Sequence, residues 1–173
     1  MKSNLFLAQL LLLGLLSCKS EKTANFEKTV TDQEQIASNT LIGKNGYEIQ
    51  KNQYLIKKNF EGALTSLDQQ EQLFNSIIKT LSGLSTDGIK ESSPVKTTAI
   101  GYYKAMKNLF LIERLSIEQQ QQLTFTKDTI KIDKAQDSLL QIDRKKLDLY
   151  KVVAEKQSEF QKALKSFNQA NNL

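Results

Sequence analysis

Between Ile132 and Phe167 apolar residues return at alternating steps of three and four. The series runs Ile132, Ala135, Leu139, Ile142, Lys146, Leu149, Val153, Lys156, Phe160, Ala163 and Phe167, and nine of its eleven places are apolar. A helix gathers such a series on one side, whereas a strand would scatter it over both faces. The chain must therefore form a helix of about ten turns here and cover one side of it. Leu140, Leu147, Tyr150, Val152 and Leu164 flank the series. They predict a stripe wider than a two-stranded seam, suited to the inside of a bundle. On this reading Leu149 faces the core, and Lys151, about 200° further round the helix, faces solvent.

The rest of the chain carries the same period in shorter runs. "TDQE", residues 31–34, fits a capping box in which the Thr31 hydroxyl and the Glu34 carboxylate each satisfy a free backbone amide. A first long helix is expected to begin near Thr31, with Ile42, Ile49, Ile56, Phe60, Ala63 and Leu67 as its stripe and Tyr47 and Tyr54 beside it. Gly43, Gly46 and Gly62 offer places for a kink or a close helix approach. Leu73, Phe74, Ile77, Ile78 and Leu81 predict a second, shorter helix over about 68–81. "SGLSTDG" and "ESS", within residues 82–93, make the clearest loop, and Ser93 before Pro94 reads as the cap and first residue of a third helix. Ile100, Tyr103, Met106, Leu109, Phe110, Ile112 and Ile117 are its apolar side. A break is expected at 124–128, "TFTKD", because Thr and Asp favour caps over helix interiors.

One Pro and seven Gly in 173 residues leave few breakers, in keeping with long helices. The predicted fold class is all-α, an antiparallel up-and-down bundle of about four helices.

The amino-terminal end is of another kind. Lys2 precedes a mostly apolar run over residues 5–16, interrupted by Gln9. The run is too short for a membrane-spanning helix, which takes roughly 20 residues, and matches the apolar part of a secretory signal. It ends "LLSC", and Cys18 is the one cysteine of the chain. An odd cysteine in an exported protein has no intramolecular disulfide partner, so its presence asks for another reason. The stretch resembles the lipobox of bacterial lipoproteins: an aliphatic residue, a variable residue, a small residue, then cysteine. That resemblance implies lipidation of Cys18 through a thioether-linked diacylglycerol. It also implies cleavage before Cys18 and acylation of the new amino terminus, with palmitate among the chains. At about 0.8 kcal/mol per buried methylene, several chains make a lasting membrane anchor. Lys19 stands where Asp would retain such a protein in the inner membrane, which implies the outer membrane of the cell envelope.

The expected organisation is a signal peptide over 1–17, a lipidated polar tether over 18–30, and a helical-bundle domain over 31–173. The tether carries charge and little apolar surface apart from Phe26, too little to offset the entropy of ordering it. Two stretches of the domain, "AIGYYKAMKNLFLIE" and the terminal "EFQKALKSFNQANNL", resemble small helical-bundle lipoproteins of uncharacterised function from Gram-negative and spirochaete-like bacteria. The resemblance implies a bundle and transfers no functional residue.

The chemistry available is narrow. The chain has no His, which removes His-based relays and the common zinc sites. With Cys18 assigned to lipid, no thiol nucleophile or ligand is left. "GKNG", residues 43–46, lacks the spacing and the Lys-Ser/Thr ending of a phosphate loop. Asp128, Asp133, Asp137 and Asp143 lie near one another, but "DTIKIDKAQD" lacks the Gly and final Glu of a calcium loop, so they read as a solvated face. No catalytic residue, cofactor or metal is expected, and the chain reads as a non-enzyme. Once Lys2 leaves with the leader, 23 basic and 19 acidic residues remain, a net of +4, and they interleave. A nucleic-acid binder gathers its basic residues into a patch, so nucleic acid is not an expected partner. Tyr102 and Tyr103 point about 100° apart on a helix, so one belongs in the core and the other at its edge.

The expected function is a membrane-anchored, non-catalytic binding or structural component of the bacterial outer membrane or cell surface. Its expected partners are membrane lipid, through acylated Cys18, and a macromolecule. The alternative is a carrier of a small apolar ligand, with a cavity inside the bundle lined by Phe74, Phe110, Phe160 and Phe167 if these converge.

Overall fold

The computed structural model describes residues 21–173, so the signal peptide expected over 1–17 and Cys18 lie outside the described residues. Five helical segments follow one another: α1 Glu21–Ile42, α2 Tyr47–Ile56, α3 Phe60–Ser82, α4 Ser92–Phe125 and α5 Thr129–Asn171. They make four up-and-down rods, with α1 and α2 sharing the first. At one end the start of α1 lies against the α3–α4 loop. Asn171, at the end of α5, donates to the Lys90 carbonyl of that same loop at 3.0 Å. At the other end Phe60 of α3 meets Phe125 of α4 edge-on, ring centroids 6.1 Å apart. The fold is the all-α antiparallel bundle that the sequence predicts.

All eleven places of the α5 series are buried or half-buried. Its two polar members have partners: the Lys146 ammonium reaches Glu113 of α4, and Lys156 pairs with Glu159 at 2.9 Å. The Lys156 stem lies against Gly101 of α4, where an added Cβ would touch its Cδ at 3.8 Å. The flanking residues correct the sequence reading. Leu140, Leu147, Tyr150 and Val152 are exposed, and only Leu164 packs against the core. The stripe is narrow because α5 packs mainly along one neighbour, α4. Leu149 is half-buried. Leu149→Ala is therefore expected to cost about 1–2 kcal/mol, less than the about 2–5 kcal/mol of a fully buried leucine. Lys151, 78% exposed and paired with an equally open Asp148, should lose no more than about 0.5 kcal/mol on truncation. Equal losses in urea melts would put the stripe on the wrong side of α5.

The amino-terminal half departs further from the sequence reading. The tether expected over 18–30 is helix from Glu21 onward, and Phe26 and Val30 are buried within the core. They open a stripe that continues through Gln33, Ala37 and Leu41. Thr31 and Glu34 therefore stand in mid-helix rather than in a capping box, and the bundle extends to the amino-terminal side of residue 31.

The stripe expected across residues 42–67 is cut twice. At 43–46 the Gly46 N–H donates to the Gly43 carbonyl at 2.7 Å, and a Cβ at either glycine would run into the preceding backbone. After α2, Lys58 takes the left-handed conformation at φ 54°, and Asn59 Oδ1 caps α3 by accepting from the Gly62 N–H at 2.9 Å. Each break resets the helical phase, which leaves Ile42 and Ile56 65% and 83% exposed. α3 and α2 close on each other at Gly62, where a Cβ would lie 2.6 Å from Tyr54 Cδ1. α3 is one helix from Phe60, not a shorter one from about residue 68. Phe60, Ala63, Leu67, Phe74, Ile77 and Leu81 form its unbroken buried side.

The loop falls over 83–91, close to its expected place. α4 starts at Ser92, one residue before the expected cap, because the buried Ser92 hydroxyl donates back to the Ile89 carbonyl at 2.8 Å. Pro94 sits in the first turn, where its missing N–H removes no helix bond. The break after α4 falls at 126–128, within the expected 124–128, with Thr124 and Phe125 still helical and Asp128 Oδ1 accepting from the Ile130 and Lys131 amides.

Candidate functional site

α1 turns Glu34, Ala37, Ser38 and Leu41 to one side, a face built on steps of three and four. α4 turns Tyr102, Tyr103, Met106 and Phe110 towards them, and Phe74 of α3 lies at the base. α1 packs along α2 and α3, while α4 packs along α3 and α5. The two facing sides thus enclose a groove of about 290 Å³ that opens to solvent. The adjacent tyrosines split as the helical angle requires: Tyr103 is in the core and Tyr102 at its edge, ring centroids 5.1 Å apart. Phe74 and Phe110 tilt against each other at 5.4 Å. Of the four phenylalanines considered as cavity lining, these two line the groove. Phe160 stacks on Tyr102 at 6.0 Å and Phe167 meets Phe26 at 5.3 Å, so both serve the core instead.

Glu34 is the acidic group of this groove. It is half-buried and has no ion pair or hydrogen bond with another described residue. Burial pushes its carboxyl above the usual value of 4.5. Burial, and then the Glu34 charge, push the Tyr102 and Tyr103 hydroxyls upward as well, so both stay neutral.

A second cluster lies where α2 meets the other rods. The buried residue of α2 is a lysine: Lys51 is 2% exposed. Its ammonium pairs with Glu48 one turn back at 2.8 Å and with Glu113 Oε2 of α4. Lys146 of α5 holds the other oxygen of Glu113. Gln70 of α3 donates to Glu48 Oε2 at 3.1 Å, and its own Oε1 is buried without a hydrogen-bond partner among the described residues. Two lysines and two glutamates balance, and with Gln70 they bring four helical segments together. Burial pushes the Glu113 carboxyl up, but the hydrogen bonds and charges of Lys146 and Lys51 outweigh it and hold the carboxyl below 4.5. Burial pulls Lys146 down, and Glu113 more than restores it, to above 10.5. The paired charges tie the helices together as an ionic lock.

The sequence reading did not single out Lys51, and the one signal for the lock was Lys146 inside an apolar series. Asp128, Asp133, Asp137 and Asp143 are all exposed, the first as a helix cap. No group of three or more His, Cys, Asp or Glu among the described residues is placed to hold a metal ion. No described helix is long and apolar enough to cross a membrane. No protein-family model matches the chain, and no curated protein or solved structure is detectably similar to it.

Proposed function

We propose that the chain is a lipid-anchored protein of the bacterial outer membrane or cell surface whose helical body binds rather than reacts. The anchoring part of this reading rests on Lys2, the apolar run over 5–16 and "LLSC" at its end. The binding part is carried by the groove between α1 and α4, an apolar and aromatic concavity with one ionisable group set in it, the usual make-up of a ligand site. The small-ligand alternative thereby takes a changed form, an open groove on the flank of the bundle in place of a cavity inside it. A macromolecular partner is favoured by a different observation. Leu140 and Leu147, seven residues apart on the outward face of α5, are 52% and 62% exposed, beside Arg144 and Lys151.

Metabolic labelling with an alkyne-tagged palmitate tests the anchor. The wild-type protein should carry label and sediment with membranes. Cys18→Ala should carry none and keep the apolar leader, a mass difference that intact-mass spectrometry reads directly. Ser17 and Cys18 still joined in the wild-type membrane protein would overturn the lipoprotein reading.

A further inference from the structure

We infer that the groove between α1 and α4 takes a small organic cation, a quaternary ammonium with an aromatic or aliphatic body, with the Glu34 carboxylate as its counter-ion. The inference rests on the reading of this groove as a binding site and names what it binds.

Two observations converge on a weakly hydrated cation. The first is the isolation of Glu34. Glu48, Glu71, Glu113 and Glu159 are also half-buried, and each faces a lysine ammonium. Glu34 has no such partner among the described residues and stands beside Tyr102 and Tyr103 instead. An ionised carboxylate in that setting loses hydration without compensation, and a bound cation would supply it. The second is the lining. The faces of Tyr and Phe rings attract cations, most strongly those that shed water easily, and Tyr102 is the half-buried ring that stands in the groove beside Glu34, with Tyr103 and Phe74 buried behind it and the Phe110 ring already facing the Lys51 ammonium, 6.0 Å from its centroid. The volume of about 290 Å³ lies at the small end of ligand sites, which limits the occupant to a few ring or chain carbons around the charged centre.

Benzyltrimethylammonium is a suitable probe, with benzyl alcohol as its neutral counterpart and benzenesulfonate as the anionic one. Each is titrated into the full-length protein by calorimetry and ligand-observed NMR. The cation should bind about tenfold more tightly than benzyl alcohol, and the sulfonate should not bind. Glu34→Gln should erase the preference for the cation without lowering Tm, because the fold already disfavours the ionised form of this carboxyl. Ser38→Arg places a guanidinium one turn beyond Glu34 on the same face, where it pairs with the carboxylate; this exposed substitution should also abolish cation binding. Equal affinity for the cation and benzyl alcohol, or a preference that survives Glu34→Gln, would overturn the cation assignment and leave the groove standing as an apolar site. No binding of any probe would overturn the groove reading itself.

Discussion

Lys51→Met is expected to lower the unfolding free energy by about 3–5 kcal/mol, the cost of stripping one partner from a buried ion pair. The size follows from where Lys51 sits. It is 2% exposed and holds two carboxylates, Glu48 on its own helix and Glu113 on α4. Without it Glu113 keeps only Lys146, and Glu48 keeps Gln70 with a long contact from Asn52. Methionine keeps most of the volume, so what is removed is the charge. The effect should depend on pH in a defined sense. Glu113 titrates lower in the fold than the ordinary 4.5, so its pairing stabilises the protein above about pH 4.5, and that contribution drains away as pH falls through the folded value. Lys146 titrates above 10.5, so its share is present throughout the lower range and is lost only as pH rises past its own folded value. Urea melts should therefore show the full deficit of Lys51→Met at pH 7 and a smaller one near pH 3. The same deficit at both would mean that Lys51 acts through its carbon stem rather than its charge.

Phe160→Ala should cost a comparable about 3–5 kcal/mol, for a different reason. The ring is fully buried, stacks on Tyr102 across the α4–α5 contact, and belongs to the core cluster that all four rods share. Its deletion forfeits the transfer energy of an aromatic side chain and leaves a hole that long, regular helices close poorly. Leu147→Ala on the same helix is the matched control, because that leucine is 62% exposed and should lose no more than about 0.5 kcal/mol. A deficit below about 1 kcal/mol for Phe160→Ala would contradict the packing of α5 along this face. Because Tyr102 also edges the groove, the same variant should loosen probe binding, which ties the core to the site through one ring.

The last helix was legible because one instruction is repeated over ten turns, long enough for the period to stand out against two lysines. The first helix was not. Its stripe passes through Thr23 and Gln33, buried polar residues that interrupt an apolar count, and only Phe26, Val30, Ala37 and Leu41 remained to be seen. α2 defeats periodicity altogether. It has ten residues, lies between two breaks, buries a lysine, and leaves Ile56 in solvent. The glycines at 43 and 46 mark a place for a kink, but a kink also resets the phase of everything after it, which a single stripe from residue 42 to residue 67 does not allow for. The groove draws its walls from α1 and α4, segments separated in sequence by two other helices, so no local window contains it. Glu34 was visible as a residue and misplaced as a cap. The angle between Tyr102 and Tyr103 did carry over, since it depends on helix geometry alone.

Helix from Glu21 onward would have a mechanical meaning for an anchored protein. Were Cys18 lipidated as proposed, three peptide units would separate the anchor from Glu21, a reach of at most about 11 Å. α5, with 43 residues, is about 64 Å long. A body tied so closely would be moored by one end and would not drift on a slack line. The start of α1, the loop over 83–91 and the last turn of α5 would face the headgroups, and the turn over 126–128 would form the distal tip. Glu34 lies about 20 Å along α1 from Glu21. The groove would then open sideways at a set height in the aqueous layer, within reach of solutes travelling along the membrane.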